Sequence, residues 1–338
     1  MDNGVSVGGV SVVAALRRWL DAPGEPEPWV VETSGSTGRP KRVALSRRAV
    51  LASVTASERR LGGSGVWVLA LPAAYVAGVQ VICRSLAAGH EPVLGAAWPH
   101  EGTWFTSLVP TQLHRLLDDP DQRGQVAALR TAHTILLGGG PIDPALRSRA
   151  EREGLRLVAT YGAAETAGGC VYDGLPLDGV AVAIGPDGRI RIGGPTLFDR
   201  YEGDPELTSR TLVDGWYLTS DAGRHDDDGR LQVLGRLDDM VVSGGVNVPA
   251  HAVAARLREH PDVRTVEVLG VPDQEWGSRV VAFVVGGLSL DDARAFTAER
   301  HPRSWAPRQL VALDTLPLLD NGKPDRLALK DLAQQEHP

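Results

Sequence analysis

The sequence predicts an α/β protein in two parts: a large N-terminal domain with mostly parallel sheets, residues 1–237, and a small C-terminal α+β domain, residues 238–338. Three observations predict it. Apolar runs of strand length alternate with stretches of helical spacing from Trp29 to Thr160, the pattern of βαβ units. Loops rich in glycine and hydroxyl residues follow several of those runs, where ligands gather in parallel sheets. From Gly179 the character changes to short alternating strands separated by Pro186-Asp187-Gly188 and Asp227-Asp228-Gly229 turns.

Taken in order, Val12, Val13, Leu16 and Leu20 give helical spacing over Ser11–Leu20, and the proline-rich stretch Asp21–Pro28 leads into a strand at Val30-Val31. Ser46 and Arg47-Arg48 open a helix with Val50, Leu51 and Val54 on one side. The loop Thr33–Lys41 is therefore expected between a strand and a helix. Val66–Leu71 is a strand, Val79–Leu86 a helix, Thr103–Leu108 a strand, and Pro110–Leu117 begins a helix. Thr134–Leu137 runs into Gly138-Gly139-Gly140-Pro141; the helix Asp143–Glu153 stops at Gly154; the strand Leu155–Thr160 enters Tyr161-Gly162. Strands follow at Arg189–Ile192 and Leu231–Leu234. After a boundary near Leu237–Asp238 come a helix at Ala250–Glu259, strands at Thr265–Val271 and Val280–Val285, a helix at Leu290–Arg300, a strand at Gln309–Leu313 and a polar tail.

Bulk properties exclude several classes. A net charge of −7 argues against nucleic acid as a partner. Cys83 and Cys170 give no disulfide framework and fit a reducing compartment. No apolar run approaches a membrane span, and the first residues lack a signal-peptide pattern, so a cytoplasmic protein is expected.

The stretch Thr33-Ser34-Gly35-Ser36-Thr37-Gly38-Arg39-Pro40-Lys41 carries the strongest chemical signal. Gly35 and Gly38 allow close backbone approach, exposed N–H groups in such a turn form an anion nest, and four hydroxyls and Lys41 add donors and charge. A grip on phosphate follows, although the stretch is not a Walker A loop. Beyond Thr160-Tyr161-Gly162, Glu165 offers a carboxylate of the kind that holds Mg²⁺. Asp221, in Thr219-Ser220-Asp221, offers an ionised carboxylate, which accepts two hydrogen bonds well. Gln80 and Arg84 are four apart on a helix and share a face; an amide and a guanidinium there suit an aromatic carboxylate. Taken singly, each of the later motifs is also explained by a turn.

In this order the motifs resemble those of the AMP-forming adenylating superfamily, which holds acyl-CoA ligases, peptide adenylation domains and luciferases. The loop matches [ST]-S-G-[ST]-T-G-x-P-K throughout. Tyr161–Glu165 resembles Y-G-x-[ST]-E with Ala164 in place of the hydroxyl residue, and Thr219-Ser220-Asp221 resembles T-G-D with Ser220 in place of glycine. Gly235-Arg236-Leu237-Asp238-Asp239 and Ser243-Gly244-Gly245-Val246-Asn247 resemble G-R-x-D-D…S-G-G-x-N, and Asn321–Arg326 resembles N-G-K-x-D-R. The resemblance covers essentially the whole chain, although relatives are commonly longer before the phosphate loop. Tyr75-Val76-Ala77-Gly78 and Tyr161–Gly174 resemble the short actinobacterial acid–CoA ligases of the o-succinylbenzoate type, which serve menaquinone synthesis.

The resemblance implies an adenylate-forming domain, a mobile C-terminal domain and a hinge at Asp238. It implies ATP, Mg²⁺ and coenzyme A, with acyl-AMP as the intermediate. Thr33, Ser34, Gly35, Ser36, Thr37, Gly38 and Lys41 would hold phosphates; Gly138, Gly139, Gly140, Thr160, Tyr161 and Gly162 adenosine; Asp221 ribose; Arg236 the nucleotide; Glu165 the metal. Lys323 would act in adenylation, Ser243, Gly244 and Gly245 would line the coenzyme A channel, and Tyr75, Gln80 and Arg84 would border the acid. A carrier-protein thiol in place of coenzyme A, or a non-enzymatic nucleotide-binding regulator, are the alternatives. The oligomeric state stays open, a homodimer included.

Overall fold

A computed structural model describes residues 5–33, 41–95, 98–99, 101–237, 240–317 and 324–335. They divide into two units: Met1–Ala183 with Arg191–Thr219 and His225–Leu231, and Ile184–Ile190 with Ser220–Arg224 and Gln232–Pro338. Among the described residues no helix is long and apolar enough to cross a membrane.

In the first unit, helix α1 (Val5–Asp21) precedes strands β1 (Trp29–Thr33) and β2 (Lys41–Leu45). These pair antiparallel, Trp29 facing Leu45 and Thr33 facing Lys41, and the strand Arg200–Tyr201 adds to β2. The phosphate-loop motif therefore joins two strands, not a strand and a helix as expected. Val43, Ala44 and Leu45 are all buried, so this short segment before the helix, not assigned from the sequence, forms a covered strand. Ser46 does open helix α2 (Arg47–Leu61), its Oγ accepting from the Ala49 N–H at 3.4 Å.

The remaining elements in order are β3 (Val66–Leu69), α3 (Val76–Ala87), β4 (Val93–Leu94), β5 (Trp104–Leu108), α4 (Pro110–Asp118), α5 (Arg123–Leu129), β6 (Thr134–Leu137), α6 (Pro144–Arg152), β7 (Leu157–Ala163), β8 (Gly168–Tyr172) and β9 (Leu175–Pro176). They build one sheet ordered β4-β3-β5-β6-β7-β8-β9. Its first five strands are parallel and the last two antiparallel. Successive strand residues face opposite sides: Trp67, Leu69, Phe105 and Leu136 join the core with α2 and α3. Val68, Trp104, Leu108, Ile135 and Leu137 join the core with α4, α5 and α6. A sheet covered on both faces explains the continuous apolar runs.

Strand β7 runs past Tyr161-Gly162 to Ala163, and β8 folds back on it. Gly168 and Gly169 hide β8 from a pattern reading, since glycine is a weak strand former. They permit the pairing: a Cβ at Gly162 would lie 2.1 Å from the Gly168 carbonyl oxygen.

In the second unit Val263–Asp273 and Gly277–Gly286 form an antiparallel pair, and Gln309–Ala312 runs parallel to the latter. The helices Ala250–Arg258 and Leu290–Ala298 contribute Val253, Leu257 and Ala293 to the core. Met240–Ser243 and Val246–Pro249 make a hairpin. The expected polar tail contains a helix, Arg326–Gln335. Asp325 Oδ1 accepts from the N–H groups of Leu327 and Ala328, each at 3.1 Å. Leu329 and Ala333, four apart, are fully buried, whereas Arg326, Asp331, Gln334 and Gln335 are exposed together with Leu327, so the short apolar stripe is easy to misread as tail.

Candidate active site

A cavity of about 120 Å³ lies in the first unit at the C-terminal ends of the parallel strands. Helix α3 contributes Gln80 and Arg84, the turn after β6 Gly138 and Gly139, strand β7 Thr160 and Gly162, and β8 Tyr172. So six residues singled out in the sequence share one cavity. Gly140, Tyr161, Tyr75 and Glu165 are not among its walls. Tyr75 precedes α3 and is 51 % exposed. The glycines have geometric reasons: a Cβ at Gly138 would meet Thr160 Oγ1 at 2.2 Å, and Gly139 has φ of 78°.

At the α3 wall the polar groups are buried and under-partnered. Gln80 is 1 % exposed, and neither its amide nitrogen nor its oxygen has a hydrogen-bond partner among the described residues. Arg84 is 6 % exposed, and its Nε is likewise unpartnered. Its Nη2 donates to Tyr172 Oη at 3.2 Å, Tyr172 Oη lies 2.8 Å from Ser57 Oγ, and the guanidinium sits 4.9 Å from the Trp67 ring centroid. Burial next to it pushes the Cys83 thiol up to about 12, the Arg84 charge opposing that only in part.

Glu165 is 6 % exposed and lies in a single 3₁₀ turn, Ala164–Thr166, between β7 and β8. Tyr201 Oη donates to its Oε1 at 2.6 Å, and the Phe198 N–H donates to its backbone oxygen at 2.9 Å. Burial, then the Glu165 charge, raise the Tyr201 phenol well above its ordinary value, so it stays a donor. Lys41 Nζ lies 5.5 Å from the same ring's centroid. One fixed, buried carboxylate suits Mg²⁺, which fills its shell with waters and phosphate oxygens and needs few protein ligands. Among the described residues no group of three or more His, Cys, Asp or Glu side chains could hold a metal ion. The Thr166 hydroxyl accepts from the Ala163 N–H at 2.9 Å and reaches the Gly168 oxygen at 2.7 Å, so it is committed to the turn and does not replace the hydroxyl missing at Ala164.

In the second unit Arg236 Nε lies 4.0 Å from Asp221 Oδ1. Arg308 Nε donates to Ser243 Oγ at 3.3 Å, with its guanidinium 3.3 Å from the Trp276 ring centroid. Gly244 has φ of 57°, and a Cβ there would meet Trp276 at 2.6 Å; Gly245, with φ of 76°, faces open space. Gly244 thus has a packing reason of its own. Ser34, Gly35, Ser36, Thr37, Gly38, Asp238 and Lys323 lie outside the described residues, whereas Thr33 and Lys41 pair at the ends of β1 and β2. Tyr172, Ser57 and Tyr201 escaped the sequence reading: each is a lone hydroxyl far in sequence from its partner, and no periodicity marks it.

Residues 30–201 match the family of AMP-binding enzymes, and residues 252–323 match the C-terminal domain of AMP-binding enzymes. The chain is 41 % identical over 321 residues to a probable 2-succinylbenzoate–CoA ligase of Mycobacterium tuberculosis, covering 89 % of this chain and 83 % of the relative. It is 30 % identical over 355 residues to a 2-succinylbenzoate–CoA ligase of Listeria monocytogenes, covering 96 % of this chain and 75 % of that one. Among solved structures it is similar to an o-succinylbenzoate CoA synthetase of Bacillus subtilis in complex with its acyl-adenylate intermediate, with a TM-score of 0.72, 28 % identity, and coverage of 89 % and 68 %.

Proposed function

The chain belongs to the family of AMP-binding enzymes, and from that premise we propose that it is an ATP-dependent, AMP-forming ligase joining 2-succinylbenzoate to coenzyme A. The likeness to 2-succinylbenzoate–CoA ligases over most of both chains carries this reading. A carboxylate oxygen of the acid attacks the α-phosphorus of ATP; the bond to pyrophosphate breaks and acyl-AMP forms. The sulfur of coenzyme A then attacks the acyl carbon, AMP leaves, and the thiol proton passes to solvent. The reaction places the protein in menaquinone synthesis, in the cytoplasm.

The residues act by positioning and by neutralising charge. Thr33, Lys41 and the intervening Ser34, Gly35, Ser36, Thr37 and Gly38 hold the outer phosphates. The close-packed backbone at Gly138, Gly139 and Gly162, with Gly140, Thr160 and Tyr161, receives the adenosine, and Asp221 the ribose. Glu165, fixed by Tyr201, would hold Mg²⁺. When bound, that ion neutralises phosphate charge and orients the leaving group. Arg236 and Lys323 supply positive charge in the adenylation step; Ser243, Gly244 and Gly245 serve the thiol step; Asp238 is the hinge between residues 1–237 and 238–338.

Acid-dependent ATP–pyrophosphate exchange tests the reading. Exchange should be fastest with 2-succinylbenzoate, and thioester should form with free coenzyme A. Faster exchange with plain benzoate or a medium-chain fatty acid would overturn the substrate; a requirement for a carrier-protein thiol would overturn the acceptor. Lys323→Ala should slow exchange by roughly 10²–10³-fold, while thioester formation from supplied acyl-AMP persists. Equal loss in both half-reactions would remove Lys323 from its role.

A further inference from the structure

Lys41, at the end of the phosphate motif, and the carboxylate of Glu165 belong to segments far apart in sequence, and one short segment ties them together. The strand Arg200–Tyr201 lies against β2, with Arg200 facing Ala44 and Tyr201 facing Val43. The flanking N–H groups complete the seam: Asp199 donates to the Ala44 carbonyl at 2.9 Å and Glu202 to the Arg42 carbonyl at 2.8 Å. The Glu202 carboxylate also pairs with Arg42 at 2.8 Å. The same segment reaches the turn at Glu165 from two directions. The Phe198 N–H donates to the Glu165 backbone oxygen at 2.9 Å, and Tyr201 Oη donates to its carboxylate at 2.6 Å. Tyr201 is itself fixed: it is 2 % exposed, its N–H donates to Thr208 Oγ1 at 2.9 Å, and its ring centroid lies 4.8 Å from that of Phe198.

We infer that Phe198–Glu202 is a clasp that sets the spacing between Lys41 and Glu165, and that Tyr201 is the positioning residue for both. A phenol can serve two opposite charges at once, because its hydroxyl donates in the ring plane while its face attracts a cation. Tyr201 is used in both ways: its Oη bonds Glu165, and Lys41 Nζ stands over the ring at 5.5 Å, within the range of cation–π attraction. The inference rests on the ligase reading, which gives Lys41 the outer phosphates and Glu165 the Mg²⁺. A nucleotide must meet that ammonium and that metal together. A spacing set before the nucleotide arrives spares the cost of ordering two separate side chains on binding. The hydroxyl and the ring therefore have separable jobs: the hydroxyl acts through the metal carboxylate, the ring through the lysine.

The test measures binding of a nonhydrolysable ATP analogue to the full chain by calorimetry, once in EDTA and once with Mg²⁺. Tyr201→Phe keeps the ring. It should bind metal-free nucleotide within about 2-fold of wild type but lose about 3- to 10-fold of the gain that Mg²⁺ brings. Tyr201→Leu lacks both contacts and should also weaken metal-free binding by about 2- to 5-fold. If it does not fold, Tyr201→Met takes its place, since an unbranched chain fills an irregular gap. Lys41→Met should weaken metal-free binding, and adding the ring-less variant to it should cost little more, because the ring then has no cation to place. A merely structural Tyr201 would weaken both conditions alike and would add in full to Lys41→Met. Equal metal-free loss in Tyr201→Phe and the ring-less variant, full additivity with Lys41→Met, or an undiminished Mg²⁺ gain in Tyr201→Phe each overturns the clasp and leaves the ligase reading standing. Wild-type protein that binds no nucleotide under either condition overturns the ligase reading instead.

Discussion

Each unit of the molecule buries arginines, and the two treat them differently. In the second unit Arg256 is 5 % exposed and fully engaged: its Nε donates to the Phe296 carbonyl at 3.0 Å, and its two terminal nitrogens pair with Glu259 and Glu299 at 2.6 Å each. Its guanidinium lies 3.4 Å from the Phe296 ring centroid. Arg279 is engaged similarly by Asp273, Gln309 and the Ala333 carbonyl. In the first unit Arg84 is as deeply buried, yet a tyrosine hydroxyl is its single hydrogen-bond partner among the described residues. Burying a charge is unfavourable in either place. Where every donor is matched within the fold, the arginine is part of the scaffold. Where donors are aimed into a cavity and unmatched, the deficit is a feature that a ligand corrects.

Substitution at Arg256 should give the largest loss of stability. Arg256→Met removes a hydrogen bond to a carbonyl, a contact with an aromatic face and two ion pairs. Glu259 and Glu299 are partly exposed and can rehydrate, so solvent screening discounts the ion pairs heavily. What remains is about 1–3 kcal/mol, seen as a lower melting temperature with exchange activity per folded molecule unchanged. A melt equal to wild type would mean that internal pairing of a buried arginine does not mark the scaffold.

Tyr201 refines the comparison, because the first unit also contains a matched buried charge. Tyr201→Phe removes the hydrogen bond that Glu165 accepts from the Tyr201 hydroxyl and should lower stability by about 1 kcal/mol. It should also raise the Mg²⁺ concentration for half-maximal exchange several-fold, since the carboxylate is no longer fixed. The phenol is raised well above its ordinary value and remains a donor throughout the neutral range. The difference between wild type and variant should therefore stay constant from about pH 6 to pH 9. A difference that closes as pH rises within that window would remove Tyr201 as the donor that holds Glu165.

These pairings also mark where sequence reading reaches its limit. The alternation of apolar strand and helix gave the parallel sheet, because each buried strand must be apolar on both faces, as Val68 against Trp67 and Ile135 against Leu136 illustrate. The i, i+4 spacing placed Gln80 and Arg84 on one wall, because helix geometry is local. Strands β2 and β8 were illegible. β2 is short and lies between the glycine- and hydroxyl-rich motif and the helix start at Ser46, and β8 is weakened by paired glycines whose value lies in close approach to Gly162. Tyr172 and Tyr201 were illegible for a further reason: each acts through a partner brought near only by folding, 88 residues away for Tyr172 and Arg84 and 36 for Tyr201 and Glu165.

The smallest expected effect on stability is the most discriminating. Arg84→Met replaces a buried, incompletely matched cation by an unbranched apolar chain that suits a gap of this shape. It gives up the bond to Tyr172 and the contact with Trp67, and it relieves the desolvation of an uncompensated charge. These terms oppose one another, so the melting temperature without ligand should stay within about 1 kcal/mol of wild type, on the more stable side. The contrast should appear on adding substrate. A ligand that binds only the folded state raises its stability with the logarithm of concentration over Kd. With 2-succinylbenzoate and a nonhydrolysable ATP analogue present, wild type should gain more than the variant, and the order of their melting temperatures should reverse. If Arg84→Met instead melts as low as Arg256→Met without any ligand, Arg84 belongs to the scaffold, and the distinction between matched and unmatched buried arginines fails in this protein.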